Sequence, residues 1–266
     1  MLLLLAWGPA ILLQLAHPLV AQGIADHSAV LKERRGRWRR FNHTVNAMLG
    51  LCFGTEEEAR AILARINKIH DRVHGRLSQA VGIFPAGTPY SAHDPALLAW
   101  VHATLLDMNV RVYELYVAPL AAGEADRYCA EASAIEEPFG IPHGLLPRTG
   151  GALRRYLDGM LASGELAVGD VARELAMAVL HPPRPWVAEP ALAFVRLVTA
   201  GLLPPAVRGE YGLSWEPRHE KVLRLSARLI RAALPFVPPV VRYWPAARRR
   251  ASRVERRPIS APATQR

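Results

Sequence analysis

The segment from Asp94 to Val117 constrains the fold most strongly, because it has the pattern of one long helix. Asp94 suits the N-cap and Pro95 the first helical position, since proline lacks the N–H that a first turn leaves unpaired. Apolar residues then recur at spacings of three and four, which places them on one helical face. They are Leu98, Val101, Leu105, Met108, Val112 and Leu115, with His102 among them. We predict a helix over 94–117 with His102 on its inward face.

The same helical periodicity recurs along the rest of the chain, whereas β-branched residues rarely alternate as they would in a half-buried strand. We therefore predict an all-α fold with one domain over residues 1–241 and a buried pocket between its central helices. Proline-rich joints at 142–147, 181–185 and 203–205 separate the helices. A loop or short hairpin is expected over 76–93. The other predicted helices are 9–16, 18–30, 38–51, 56–74, 122–137, 150–162, 168–179, 188–201 and 218–234.

The apolar run Met1–Ala25 invites comparison with a signal peptide or a membrane span. It has no basic region before it, and polar residues, glycine and proline interrupt it at Gly8-Pro9, Gln14 and His17-Pro18. We interpret the run as a pair of buried helices.

The net charge of +10 could indicate nucleic-acid binding, but most of it lies at the C-terminus. From Arg242 onward there are eight arginines against Glu255, a net charge of +7, which leaves +3 for residues 1–241. We interpret 242–266 as a disordered tail that is either solubilising or a nonspecific contact for anionic lipid or RNA. No specific nucleic-acid partner is expected, and peripheral membrane contact is a further hypothesis.

The two cysteines, Cys52 and Cys129, lie on separate segments without the spacing of a disulfide framework or a thiolate metal site, and we expect a cytoplasmic protein. The sequence also has no phosphate-binding glycine loop, no nucleophile-elbow serine and no His-Glu-x-x-His zinc motif. The ten histidines are the remaining candidates for chemistry.

His70 and His74 are four residues apart in the predicted helix 56–74, so their rings could share a face as metal ligands would. An exposed polar helix end explains the same residues without a metal, because Lys68, Asp71 and Arg72 surround them. His102 needs a hydrogen-bond partner or a metal, since an ionisable ring on an apolar face must be satisfied. A satisfied core histidine is the alternative. His17 and His27 either line a pocket or cap and pack.

Several short motifs, in order and at matching spacing, resemble the ER-bound oxygenase mpaB and rubber-oxygenase catalytic family over residues 7–220. The matching stretches are Gly8-Pro9, 15–23 (LAHPLVAQG), His27-Ser28, 53–55 (FGT), Glu58-Ala59, 70–75 (HDRVHG), 90–95 (YSAHDP), 98–103 (LAWVHA), 124–128 (EADRY), 147–149 (PRT), 202–204 (LLP), Arg208 and 211–215 (YGLSW). Because the match begins near the first residue, the resemblance implies that a segment usual before it in relatives is missing or unannotated.

The resemblance implies a domain that holds haem b, with His102 as the axial iron ligand. It further implies that the helix bearing His70 and His74, with Arg72 between them, covers the opposite, catalytic face of the haem. The chain departs from the family at His74, where most relatives have arginine, and Lys68 is the only candidate nearby for the distal lysine of the rubber-cleaving branch. The remaining cofactor contacts, with arginines for the propionates, are assigned to His17, His27, Tyr90, Arg111 and Arg208.

The function that the resemblance implies is a haem-dependent oxygenase or oxidase that acts on a lipophilic small molecule with dioxygen. Polyisoprene is not the expected substrate, because the rubber-cleaving branch is secreted through a signal that this sequence lacks. Two alternatives stay open from the residues themselves: a haem carrier or sensor without turnover, and a metal-free helical scaffold with structural histidines.

Overall fold

A computed structural model of the chain describes residues 2–27, 45–182 and 186–248. Helices dominate it, and two short strands form the one sheet of the described residues, so the predicted all-α class is confirmed. The helices are α1 (Trp7–Leu15), α2 (Pro18–His27), α3 (45–53), α4 (Glu56–His70), α5 (Pro95–Tyr116), α6 (Glu124–Ala132), α7 (Glu136–Phe139), α8 (Gly150–Ala162), α9 (Asp170–Leu180), α10 (Glu189–Leu202), α11 (Pro205–Glu210), α12 (Pro217–Ala233) and α13 (Pro239–Arg242). The shorter 3₁₀ helices are Leu2–Ala6, Ser133–Ile135, Trp186–Ala188 and Leu234–Phe236.

Helix α5 is the central element, and its bounds follow the prediction closely. The predicted inward face is wrong in most positions, because Met108 and Val112 are buried but the others are only half-buried, namely Leu98, Val101, His102, Leu105 and Leu115. The Asp94 carboxylate accepts a hydrogen bond from the Ala96 N–H at 2.8 Å, so the predicted cap is present. The helix packs against the N-terminal 3₁₀ helix, α1, α8 and α12. Its inner side chains are almost fully buried, at 0% exposed, namely Trp100, Ala103, Thr104, Met108, Val112 and Tyr116. Helix α5 therefore runs through the core, where close packing fixes the positions of its side chains.

The N-terminal apolar run forms buried helices, as its interruptions predict. Helix α1 packs against α5, α9 and α10, and Leu12, Leu13 and Leu15 are at most 2% exposed. The predicted helix 18–30 is observed as far as His27, and residues 28–44 lie outside the described ranges, as does the start of the predicted helix 38–51. Among the described helices, none by itself combines the length and apolarity of a membrane span. The pair Leu2–Leu15 and Pro18–His27 meets that test jointly, with a bend of 105° between them.

Helix α4 begins as predicted and ends earlier than predicted. Thr55 and Glu58 form a reciprocal capping box at its start, with the Thr55 N–H donating to Glu58 at 2.7 Å. The helix stops at His70, whereas the prediction extended it to His74, so that prediction is wrong. Residues His74–Arg76 instead form β1, which pairs antiparallel with β2 (Pro89–Ser91). This pairing supplies the backbone hydrogen bonds that a further helical turn would have made.

The C-terminal half agrees with the predicted helices within a few residues. The predicted helix 122–137 is divided into α6, a 3₁₀ turn and α7, and the predictions included neither α11 nor α13. Residues 242–248, assigned from the sequence to the tail, are described and include a helical turn over 245–248. Residues 249–266 lie outside the described ranges.

Candidate functional site

His102 lies on the side of α5 that is only half-buried, although its Nε2 atom is fully buried. That atom has no hydrogen-bond partner among the described residues. Burial lowers the pKa of the His102 imidazole to about 4, and the negative charge of Glu136 opposes this shift only in part. His102 is therefore a neutral imidazole at physiological pH, with one ring nitrogen that no group in the described ranges satisfies.

A small apolar cluster packs beside His102 on α5. Ala99 contacts Ile141 and Leu146, all three of which are at most 4% exposed, and Leu98 and Phe139 pack at the edge of this cluster. The cluster joins α5 to α7 and to the loop that follows it. It keeps this side of His102 apolar, which explains why burial dominates the pKa of the imidazole.

Glu136, at the start of α7, is a buried carboxylate that the sequence analysis missed. It accepts hydrogen bonds from the Gly144 N–H at 3.1 Å and the Leu146 N–H at 3.2 Å, and Arg148 donates to it at 2.6 Å. Burial alone would raise its pKa, but these donors and the positive charge of Arg148 hold the pKa below its ordinary value. Glu136 is thus a charged group that fixes the 140–148 loop beside His102. No sequence motif predicts this role of Glu136, because its hydrogen-bond partners lie 8 to 12 residues away in an irregular loop.

His70, in the last turn of α4, packs against α7. Its ring centre is 5.9 Å from that of Phe139, and its buried Nδ1 atom has no hydrogen-bond partner among the described residues. Burial lowers its pKa, and the neighbouring His93 lowers it further. The Asn67 side chain donates to the Pro138 carbonyl at 2.7 Å and so ties α4 to α7. His70 and the cluster beside His102 therefore share Phe139 as a neighbour.

The remaining residues of the predicted distal face are exposed. Arg72 lies in the turn after α4 and His74 on β1, so the two histidines do not share a helical face. His93 lies next to His70, with 5.8 Å between ring centres, and its Nε2–H donates a hydrogen bond to the Asp71 carboxylate at 2.8 Å. The side chain next to His70 is therefore that of His93, which the sequence analysis did not predict, and not that of the predicted His74.

His27 and Tyr90 belong to a second cluster, between α2 and the β1–β2 hairpin. The Tyr90 hydroxyl donates to Asp26 at 2.5 Å and lies 3.3 Å from His27 Nε2, which also contacts the His74 carbonyl at 3.1 Å. Burial and the Asp26 carboxylate raise the pKa of Tyr90. A Cβ at Gly75 would lie 2.5 Å from the Tyr90 hydroxyl, so this strand position requires glycine.

His17 lies between α1 and α2 and is 2% exposed. Its Nε2 is 3.7 Å from Glu165, its ring centre is 5.2 Å from that of Phe84, and its Nδ1 has no described partner. Burial lowers the pKa of His17, against the effect of the Glu165 charge. Phe84 packs on the same apolar cluster as Tyr90, so His17 belongs with the hairpin side of the molecule rather than with α7.

The two arginines predicted for the propionates both have partners within the protein. Arg111 donates to Asp107 at 2.7 Å, one turn away on α5. Arg208 donates to the Ala200 carbonyl at 3.1 Å, and its guanidinium lies 4.9 Å from the centre of the Trp215 ring. Both would have to exchange or share these contacts to bind an anion.

The observation that fits a haem is the unpartnered Nε2 of His102, since a neutral buried imidazole is the form that ligates iron. Within the described ranges no three His, Cys, Asp or Glu side chains converge on one point, and a haem needs no such set because a single histidine can hold its iron. A pocket of about 10 Å³ between α2, residues 77–81 and α9 has the volume of roughly one water. That pocket is not a cofactor site.

Comparison with known proteins identifies one family. A profile described as "ER-bound oxygenase mpaB/B'/Rubber oxygenase, catalytic domain" matches residues 1–232. Neither the curated proteins nor the solved structures gave a significant match to the chain. The matched region includes every histidine discussed above and ends within α12.

Proposed function

The chain belongs to the mpaB and rubber-oxygenase catalytic-domain family, and from that membership we propose that it is a haem b-dependent oxygenase that acts on a lipophilic small molecule. The family description makes it an oxygenase domain in general terms. The single observation that carries the haem proposal is His102, with its neutral ring and a buried Nε2 that has no described partner.

His102 would hold the iron through Nε2, and α5 gives it a fixed position. The helix is capped at Asp94 and buried along Trp100, Ala103 and Thr104, so the imidazole projects from a rigid element. The buried Glu136 carboxylate favours positive charge on His102, as an outer carboxylate does for many ligating histidines. Haem, when bound, supplies the redox chemistry with dioxygen that the side chains of the protein lack.

His70 is the second residue that we propose for the site. Its lowered pKa keeps the ring neutral. Its Nδ1 atom, which has no partner among the described residues, can donate a hydrogen bond to a neighbouring polar group or accept one from it. The Asp71–His93 pair next to it can pass a proton to solvent, since both side chains are exposed. Apolar residues of α4, among them Ile62, Leu63 and Ile66, are only half-buried and suit a lipophilic substrate.

The haem proposal is tested by titrating haem into the purified protein and into His102→Ala, with absorption as the readout. We expect the wild-type protein to bind one haem with an intense Soret band and His102→Ala to lose the imidazole-ligated spectrum. Imidazole added to the variant should restore that spectrum, because it can occupy the space that the side chain leaves.

His181→Ala is the matched control, since His181 is an exposed histidine at the end of α9. It should bind haem like the wild type. A spectrum that is identical in wild type and His102→Ala would remove His102 from the site, and a wild-type protein without any Soret band would remove the haem.

A haem carrier or sensor is the second candidate, favoured by the unpartnered Nδ1 of His70. If His70 also binds the iron, the reduced protein should bind carbon monoxide slowly, and His70→Ala should bind it fast. Fast binding by the wild type, together with oxygen uptake in the presence of a lipophilic alkene, would instead support the oxygenase.

A further inference from the structure

Helix α12 exposes an apolar stripe to solvent. Val222, Leu225 and Leu229 recur at spacings of three and four, and they are 53%, 56% and 62% exposed. The opposite face of the helix packs on the core through Leu223 and Ala227, each 5% exposed. The outer stripe therefore does not contribute to the packing of α12 on the core. Contiguous exposed apolar surface of this kind is typical of an interaction site.

Basic side chains lie along one side of this stripe. Lys221, Arg228 and Arg231 are exposed and make no ion pair with the part of the chain that the structure describes, while Arg224 donates to Glu220 at 2.6 Å. We call Lys221, Val222, Leu225, Arg228, Leu229 and Arg231 the α12 surface. Long basic side chains beside an apolar stripe are typical of a helix that lies in a membrane interface, with the charges at the headgroups.

The apolar exposure continues beyond α12. Phe236 is 86% exposed, Val240 56% and Tyr243 47%, all within ten residues of the end of the helix. The sequence then adds the arginine-rich segment 242–266, with a net charge of +7. The C-terminal part of the chain therefore presents apolar and positive groups in one continuous stretch.

We propose that the α12 surface, extended by Phe236, docks the protein on an anionic lipid bilayer. Charge complementarity selects this occupant: the basic border matches lipid phosphates, and the apolar stripe can enter the boundary between headgroups and acyl chains. A second copy of the chain is disfavoured, because a two-fold contact would bring Lys221, Arg228 and Arg231 of both copies together. The phosphates of a nucleic acid would leave the leucine stripe and Phe236 without a partner.

The docking orients the molecule. With α12 flat on a bilayer, the helices packed behind it, α5 and α10, lie next inward from the membrane. This inference is independent of the proposed haem function, since none of the residues of the α12 surface takes part in the site around His102.

Vesicle co-sedimentation of the full chain tests the proposal. We expect binding to vesicles of phosphatidylcholine mixed with phosphatidylglycerol, and little binding to phosphatidylcholine alone. The triple variant Lys221→Gln/Arg228→Gln/Arg231→Gln should weaken vesicle binding about a hundredfold, because each substitution removes roughly one contact between a basic side chain and a lipid headgroup. Leu225→Ser/Leu229→Ser, and separately Phe236→Ser, should weaken it about tenfold or more with the tail intact, because two large side chains or one aromatic ring no longer enter the interface.

Met177→Ser is the matched control, since Met177 is 56% exposed on α9, away from the α12 surface, and should bind vesicles like the wild type. Circular dichroism melting of each variant confirms that the fold is retained. Wild-type vesicle binding by Leu225→Ser/Leu229→Ser and by Phe236→Ser would overturn the proposal, because the tail alone would then account for it. A wild-type dimer in light scattering that Leu225→Ser/Leu229→Ser converts to a monomer would also overturn it, in favour of a second copy.

Discussion

At the scale of single residues, the buried Nε2 atom of His102 lowers the stability of the fold. A buried polar atom without a hydrogen bond costs about 1–3 kcal/mol, and Nε2 of His102 has no partner among the described residues. A ligand bound to that nitrogen would offset the cost. An aliphatic residue of similar size would avoid this cost altogether, and the ligand-binding role proposed for His102 gives the histidine a reason to be there.

The lowered pKa of His102 predicts how the haem-free protein responds to acid. His102 titrates near pH 4 when folded and near 6.5 when unfolded, so between these values the unfolded chain binds more protons. Stability is therefore lost as the pH falls from 6.5 towards 4. The free energy of unfolding, measured in urea, should be about 2 kcal/mol lower at pH 4.5 than at pH 6.5.

His102→Leu should flatten this dependence relative to the wild type, because leucine does not titrate. His17 and His70, whose pKa values burial also lowers, are present in both proteins and cancel in the comparison. Equal slopes for the two proteins between pH 6.5 and 4.5 would contradict the assigned burial of His102.

At the residue scale, sequence reasoning located His102 but not its surroundings. The spacing of apolar residues on α5 is a local property and places the histidine on the correct helix. Glu136, Phe139 and His93 reach the site through loop and hairpin geometry that depends on contacts distant in sequence. The same applies to Tyr90 and Asp26, which are 64 residues apart and hydrogen-bonded.

At the scale of elements, close packing of α1 on α10 depends on a glycine. A Cβ at Gly8 would lie 2.2 Å from Oγ1 of Thr199, which is 0% exposed and donates to the Val195 carbonyl at 2.8 Å. The two helices can approach this closely only because Gly8 has no side chain.

Gly8→Ala should therefore destabilise the protein by about 1–3 kcal/mol through overpacking, measured by urea or thermal unfolding. Thr199→Ala in the same chain should recover part of the loss. Gly159→Ala on α8 is the control, because its Cβ would meet no atom within 4 Å, and it should stabilise by up to about 1 kcal/mol. If Gly8→Ala proved as stabilising as Gly159→Ala, the described α1–α10 contact would be wrong.

Element boundaries were predictable where a cap marks them. Asp94, Thr55 and Thr149 each cap a helix through the side chain, and all three helices begin where the sequence indicates. The end of α4 was not predictable, because Val73 continues the apolar spacing while strand pairing with Pro89–Ser91 determines the backbone. Helix α11, with six residues, is too short to produce a periodic pattern.

At the scale of the molecule, contacts between the N-terminal helices and the C-terminal half of the chain close the fold. The Tyr211 hydroxyl donates to the Leu12 carbonyl at 2.7 Å, across 199 residues, and the Ala167 N–H donates to the Ala16 carbonyl at 2.8 Å. The N-terminal helices are thereby held against the C-terminal half. His102 projects from α5, while the α12 surface lies on the outside.

The absorption spectrum of the protein as purified, with its iron content, tests the central claim most directly. We predict a Soret band with about one iron per chain for the wild type, and loss of both in His102→Ala prepared in parallel. A wild-type protein that has neither band nor iron after growth with added haem precursor would contradict the account. So would a His102→Ala variant with an unchanged spectrum.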